Sequence, residues 1–338
     1  PGLSGVCPHH AHNVHVTDSS SSTAPSPRPG TGAVPSDGGV GFRVWAPNAS
    51  GVFVAGEFND WHGRSLPLGR EDGGYWSIEV PGAYPGQEYQ FVLTRDGGED
   101  LWRIDPYARQ VTNSVGNAII YDHDAFDWAG DDFHTPPWDD LVIYELHVGT
   151  FAAEGHERGN FHRAAERLGH LRDLGVSAVH VMPVFEFAGD QSWGYNPAHA
   201  FAIESTYGGP DGLKAFIREA HRHGIAVIID VVLNHLGPSD LPTWQFDGWS
   251  ENGMGGIYFF NDHRSSTPWG DTRPDYGRPE VRAFLRDSVM QLLDHYRVDG
   301  LRFDATNHIR SIDGVSHAEE NQIPEGWAFL RWLNDEIQ

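Results

Sequence analysis

Val298-Asp-Gly-Leu-Arg-Phe-Asp304-Ala-Thr-Asn-His308 reads as a short buried strand that carries charges where a buried strand should have none. Side chains alternate across a strand, so Arg302 and Asp304 share one face while Leu301 and Phe303 take the other. An arginine beside a carboxylate favours the ionised form, which makes Asp304 an expected fixed anion, the state a carboxylate nucleophile needs. An isolated R-x-D would read as a structural ion pair. A second stretch weighs against that reading. Ala226-Val-Ile-Ile-Asp230-Val-Val-Leu-Asn234-His235 is another apolar, β-branched strand, interrupted by one Asp and ending in Asn-His. Two core strands, each interrupted by an acid at the same relative place, predict a shared polar cavity at their carboxyl ends.

Around these stretches strand and helix patterns alternate. Leu141 to His147 and Ala178 to Pro183 read as strands, and Phe161, Ala164, Leu168, Leu171 and Leu174 form one helical face. Leu213, Phe216, Ile217 and Ala220 form a second, and Val281, Phe284, Leu285, Leu292 and Tyr296 a third. Continuous apolar strands between helices predict four parallel βα units over 141–338. The stretch 236–279, rich in Gly, Trp, Asp and Pro, is too long for an ordinary βα loop and reads as a functional insertion on the active face. Pro136-Pro-Trp-Asp-Asp140 marks a linker over 129–140, because consecutive prolines stop helices and sheet ladders alike.

Upstream the texture is different. Phe42 to Trp45, Val52 to Ala55, Tyr75 to Val80, Tyr89 to Leu93 and Ala118 to Tyr121 are short strands separated by turn signals such as Asp72-Gly-Gly74 and Asp96-Gly-Gly98. They predict an all-β sandwich over 38–128. Residues 1–37 contain no Phe, Trp or Tyr and are rich in Ser, Pro and Gly, so a disordered tail is expected there, with His9, His10, His12 and His15 as unstructured side chains.

A formal charge of -24 over 338 residues argues against nucleic acid and against an anionic membrane surface. The 12 Trp, 11 Tyr and 18 Phe suit a neutral ligand with flat apolar faces, such as a sugar. A single cysteine, Cys7, excludes an internal disulfide and fits a reducing compartment. No apolar run reaches the roughly 18 residues of a membrane span, so the cytoplasm is the expected location. Nothing in the sequence fixes the oligomeric state.

The runs Gly41-Phe-Arg-Val-Trp-Ala-Pro-Asn48, Gly56-Glu-Phe-Asn-Asp-Trp61 and Asp105-Pro-Tyr107 resemble the amino-terminal glycogen-binding type module of branching enzymes and their relatives. Phe58 and Trp61 are its candidate sugar-binding aromatics, unless they are sandwich core. From Leu141 onward the chain resembles the first half of the (β/α)8 barrel of the α-amylase superfamily, of the glycoside hydrolase family 13 type. Asp230 to His235 matches one motif of that superfamily, Gly300 to His308 a second, and Ser192-Trp-Gly-Tyr195 the segment bearing the tyrosine beneath the sugar at the cleavage point.

The resemblance implies a retaining enzyme in which Asp304 is the nucleophile, Arg302 aims it, Asp230 braces the guanidinium from its other side and His235 donates to a sugar hydroxyl. Tyr195 and Trp193 would contact the sugar, His308 the acceptor, and Asn234 stands where some amylases bind calcium. No metal and no cofactor are expected. The implied partner is an α-1,4-glucan. The general-acid glutamate of the superfamily follows the fifth strand and its third carboxylate the seventh, so the chain is expected to stop short of both and to be inactive alone. Branching is the expected activity. Tyr144-Glu-Leu-His-Val-Gly-Thr-Phe151 and Tyr207-Gly-Gly-Pro210 equally resemble maltooligosyl-trehalose trehalohydrolase, which leaves a hydrolase as the alternative, and a non-catalytic glucan-binding protein as a further one.

Overall fold

The computed structural model describes residues 30–189 and 191–337. The four tail histidines lie outside the described residues. Thirteen strands and seven α-helices are described. The amino-terminal part holds β1 (Gly32–Ser36), β2 (Gly39–Trp45), β3 (Gly51–Gly56), β4 (Gly69–Arg70), β5 (Tyr75–Pro81), β6 (Glu88–Thr94), β7 (Leu101–Arg103), β8 (Gln110–Val111) and β9 (Ala118–Ile119). One antiparallel sheet has the order β1-β2-β5-β4, and the other the order β3-β6-β9-β8 with β7 beside β6. Alternating residues of both sheets face inward, and Phe42 of one sheet meets Tyr89 of the other at 5.0 Å between ring centres. Asp105 is buried beneath this core, where it accepts from the Tyr89 hydroxyl at 2.6 Å and the Tyr107 amide at 2.8 Å. Burial pushes its pKa up to about 6.

Strand β1 corrects the expected tail boundary at residue 37. Its five residues carry a proline and few apolar side chains, a weak strand signal. Pro35 is tolerated because β1 is an edge strand, paired only with β2.

The carboxyl-terminal part holds β10 (Ile143–Leu146), β11 (Ala178–Val181), β12 (Ala226–Val231) and β13 (Gly300–Phe303), parallel and in sequence order. Helices α1 (Val148–Phe151), α2 (Phe161–Ala165) and α3 (Leu168–Asp173) follow β10, α4 (Gly209–Arg222) follows β11, and α5 (Pro279–Asp294) follows β12. After β13 come α6 (Asn307–Arg310) and α7 (Pro324–Ile337). Most of the apolar faces read from sequence point into the core: Phe161, Leu168, Leu213, Phe216, Val281 and Leu285 are all buried, whereas Leu174, just past the end of α3, is exposed. Strand β13 departs from the expected buried strand. It forms one edge of the sheet, and the Arg302 side chain is 45% exposed. Among the described residues no helix is long and apolar enough to cross a membrane.

The insertion does more than overhang the sheet. Phe246, Ile257, Tyr258, Phe259, Phe260 and Tyr276 are buried and join it to the main core, Tyr258 meeting Trp45 of the sandwich and Phe284 of α5. Arg103 of the sandwich donates to the Phe246 carbonyl at 2.8 Å and the Gln245 carbonyl at 3.2 Å, and Asn48 donates through its amide nitrogens to Asp247 at 2.9 Å. The linker and the end of the sandwich are tied down as well. His221 of α4 lies between Asp131 at 2.7 Å and Asp299 at 3.0 Å, and the buried Lys214 ammonium donates to the His123 carbonyl at 2.7 Å.

Candidate active site

Parallel pairing sets Asp230 directly beside Arg302, and Glu145 beside His180. His180 pairs with Ile228, two residues before Asp230, and Asp304 follows Arg302 along the same chain, so Glu145, His180, Asp230, Arg302 and Asp304 form a staggered row on one face of the sheet. Arg302 Nη1 donates to both oxygens of Asp230 at 2.9 Å and to Asp304 Oδ1 at 2.7 Å. Asp230 does not brace the guanidinium from its opposite side, as the sequence suggested; one nitrogen serves both carboxylates. Burial alone would lower the Arg302 pKa, but the hydrogen bonds to Asp230 and Asp304 outweigh it and raise it, so the cation persists at any working pH.

Asp230 is fully buried and accepts a third bond, from the Tyr195 hydroxyl at 2.8 Å. Burial and that bond raise the Tyr195 pKa and keep the phenol protonated. Tyr195 is carried by a sharp turn. Gly194 has φ +89° and lies so close to the Pro183 carbonyl that a Cβ there would approach the oxygen to 2.3 Å. Only glycine lets the Trp193-Gly-Tyr195 turn pack onto the end of β11. Trp193 is 72% exposed and lines a cleft of about 390 Å³ with His147, Arg158, Ser192 and Tyr207.

Asp304 is held on two sides. Asn234 Nδ2 donates to its main-chain oxygen at 2.9 Å and to Oδ2 at 3.3 Å, opposite the Arg302 bond. The next residue, Ala305, has φ +39°, a left-handed backbone unusual for a residue with a Cβ and of the kind that gathers at active sites. Asn234 thus acts on the carboxylate rather than on a substrate. Its Oδ1 faces His235 Nδ1 at 2.5 Å, and among the described residues no group of three or more His, Cys, Asp or Glu side chains could hold a metal ion.

His235 corrects the expectation of a sugar-binding donor. It is buried, with Nε2 2.9 Å from the Tyr195 carbonyl and Nδ1 against Asn234, so neither ring nitrogen is left for a hydroxyl. Burial pushes its pKa down to about 4, so at pH 7 the ring carries one proton and donates to one of these two oxygens at a time. It links the Tyr195 turn to the residue that holds Asp304. Its ring stacks on Trp269 at 4.6 Å, and Trp269 meets His308 edge-on at 5.1 Å. His308, in α6, is buried beside Gly314.

Sequence reasoning missed His180 and Glu186. His180 lies 3.5 Å from Asp230 and 3.6 Å from Glu145, too far for hydrogen bonds but close enough to feel both charges. Its signal was a lone polar residue inside the apolar run Ala178 to Val181. Glu186 is buried and accepts from the Ser205 amide at 2.7 Å, while its carbonyl accepts from the Ala198 and His199 amides. It pins both ends of the loop that bears Tyr195. Burial, aided by the nearby charge of Glu204, pushes its pKa up to about 7.

In the sandwich, Phe58 packs on Phe42 at 5.3 Å and belongs to the core rather than to a binding face. Trp61 is half-buried in a left-handed conformation at φ 58°. The more exposed indole is Trp102 on β7, 44% accessible, whose ring lies where a Cβ on Gly63 would be.

A β-sandwich docked on parallel βα units, with an Asp–Arg–Asp constellation at the carboxyl ends of adjacent strands, is the layout of barrel-type glycosidases. Family comparison agrees on both parts. The profile of carbohydrate-binding module 48 (isoamylase N-terminal domain) matches residues 31–108, and that of the alpha amylase catalytic domain matches residues 148–246. The chain is a carbohydrate-binding module 48 sandwich followed by part of an amylase-type α/β domain. It is 33% identical over 320 residues to a 1,4-alpha-glucan branching enzyme of Pseudoalteromonas atlantica, covering 88% of this chain and 43% of that one. It is 39% identical over 298 residues to a malto-oligosyltrehalose trehalohydrolase of Deinococcus radiodurans, covering 87% and 45%. The pullulanase of Bacillus acidopullulyticus superposes with a TM-score of 0.70 at 28% identity, covering 82% of this chain and 38% of that one. The chain thus spans less than half the length of these relatives.

Proposed function

We propose that the chain carries the nucleophile half of a retaining, α-glucan-active enzyme of the branching type, which cuts an α-1,4 link and joins the freed chain to a 6-hydroxyl of another glucan. The observation that carries the chemistry is the double hold on Asp304: one oxygen fixed by Arg302, the other by Asn234. A carboxylate so aimed can attack an anomeric carbon and form a glycosyl-enzyme, with Tyr195 beside the flattening ring. The leaving oxygen needs a separate proton donor. Asp230 is unsuited to that role, because it is buried beneath Arg302 and already accepts from Tyr195. Similarity to branching enzymes over 88% of the chain and the amino-terminal module support transfer to a glucan.

The 39% identity to a trehalohydrolase favours a second reading, in which water resolves the same intermediate. Incubating the intact enzyme with amylose separates them. Branching lowers iodine staining without a matching rise in reducing ends. A matching rise supports hydrolysis, and trehalose released from maltooligosyl-trehalose supports the second reading specifically.

A further inference from the structure

The insertion holds a cleft of about 430 Å³ that the reaction chemistry does not use, of a size within the roughly 300–1,000 Å³ of small-molecule sites. Its walls are Ser239, Asp240, Leu241, Trp244, Gly270 and Asp271. The half-buried indole of Trp244 packs against Phe259, with ring centres 5.8 Å apart and planes tilted by 46°. The indole N–H and the Asp271 carboxylate meet no protein partner among the described residues. Asp240 uses one oxygen to accept from Ser114 of the sandwich at 2.8 Å, which ties the rim of the cleft to the module.

The lining therefore offers an aromatic side chain with an unpaired indole N–H, an apolar neighbour and two carboxylates. Anions are disfavoured by the two acids. Two carboxylates are also fewer than a protein cage for a divalent cation uses. A pyranose ring matches the set, with C–H faces for Trp244 and Leu241 and hydroxyls for the carboxylates. Gly270 belongs to the turn in which Thr267 and Gly270 exchange main-chain hydrogen bonds, and that turn carries Trp269, which stacks on His235 behind Asp304.

We propose that this cleft is a second glucan-binding site, which holds an α-glucan segment apart from the bond being cut and adjoins the reaction centre through the Thr267–Gly270 turn. The inference rests on the α-glucan reading of the enzyme. It is tested on the full 338-residue chain by following the indole N–H signals of the ¹⁵N-labelled protein as maltoheptaose is added, with Trp244→Phe and Trp193→Phe used to assign two of them. Saturable shifts of both the Trp244 and the Trp193 signals are expected. Asp271→Ala, a substitution on an exposed side chain, should weaken the Trp244 response roughly tenfold and leave that of Trp193 unchanged. A Trp244 signal that stays still while Trp193 shifts overturns the second site alone. Stillness of both overturns the second site and the α-glucan reading together. Equal shifts with cellohexaose overturn the assignment of the cleft to α-linked chains.

Discussion

The two halves of this chain use polar and aromatic side chains in opposite ways. In the sandwich, conspicuous aromatics such as Phe42, Phe58 and Tyr89 are structural, because two sheets packed face to face need large rings to fill the space between them. In the parallel sheet the conspicuous residues are charged, and nothing in the fold requires them. Asp230, Arg302 and Asp304 stand where Val or Leu would pack as well. A feature that a fold explains is weak evidence for function, and one that opposes the fold is strong evidence.

The largest effect that can break this contrast is on catalysis. Asp304→Asn in the intact enzyme should lower glycosyl transfer by at least about a thousandfold while leaving glucan binding within a few-fold, because an amide keeps the shape but cannot attack. Measured turnover near the parent rate would return Asp304 to the structural class. Arg302→Met should cost about 2 kcal/mol in thermal or urea unfolding, since Asp230 is left buried with Tyr195 as its remaining donor. No loss of stability would mean that the fold does not depend on the row.

Phe58→Ala should destabilise the sandwich by about 2 kcal/mol through lost packing on Phe42, whereas Trp102→Ala should change stability by less than about 0.5 kcal/mol and weaken glucan affinity. The reverse pattern in paired unfolding and affinity measurements would invert the assignment of the module's aromatics. Glu186 gives a smaller, pH-dependent effect. Its folded pKa is raised, so the native state binds more protons than the unfolded chain between about pH 4.5 and about pH 7. Stability should therefore fall as pH rises through that window and level off above it. Unfolding curves of Glu186→Gln should lose this contribution; an unchanged slope would place the proton elsewhere.

The strand–helix alternation and the two charged strands were legible in the sequence because burial imposes period and composition. The weak strand β1 was not, since Pro35 and the scarcity of apolar residues mask an edge that leans on one neighbour. The ion pair of Arg302 and Asp304 followed from alternation along one strand. What could not be read is which side chain a polar residue turns toward. Asn234 and His235 are adjacent to the site in sequence, yet they hold Asp304 and the Tyr195 turn instead of facing a sugar. His180 is a lone strand histidine until pairing sets it beside Glu145 and diagonally 3.5 Å from Asp230.

If Asp304 forms the covalent bond to glucose, the intermediate can be trapped on it. 5-Fluoro-α-glucosyl fluoride has a leaving group that departs without protonation, so labelling needs the nucleophile and its aim but no general acid. After incubation and proteolysis, mass spectrometry should find one fluoroglucosyl group on the peptide containing Asp304, and none after Asp304→Asn. A label on Asp230 or on any other residue, or labelling that survives Asp304→Asn, would contradict the account.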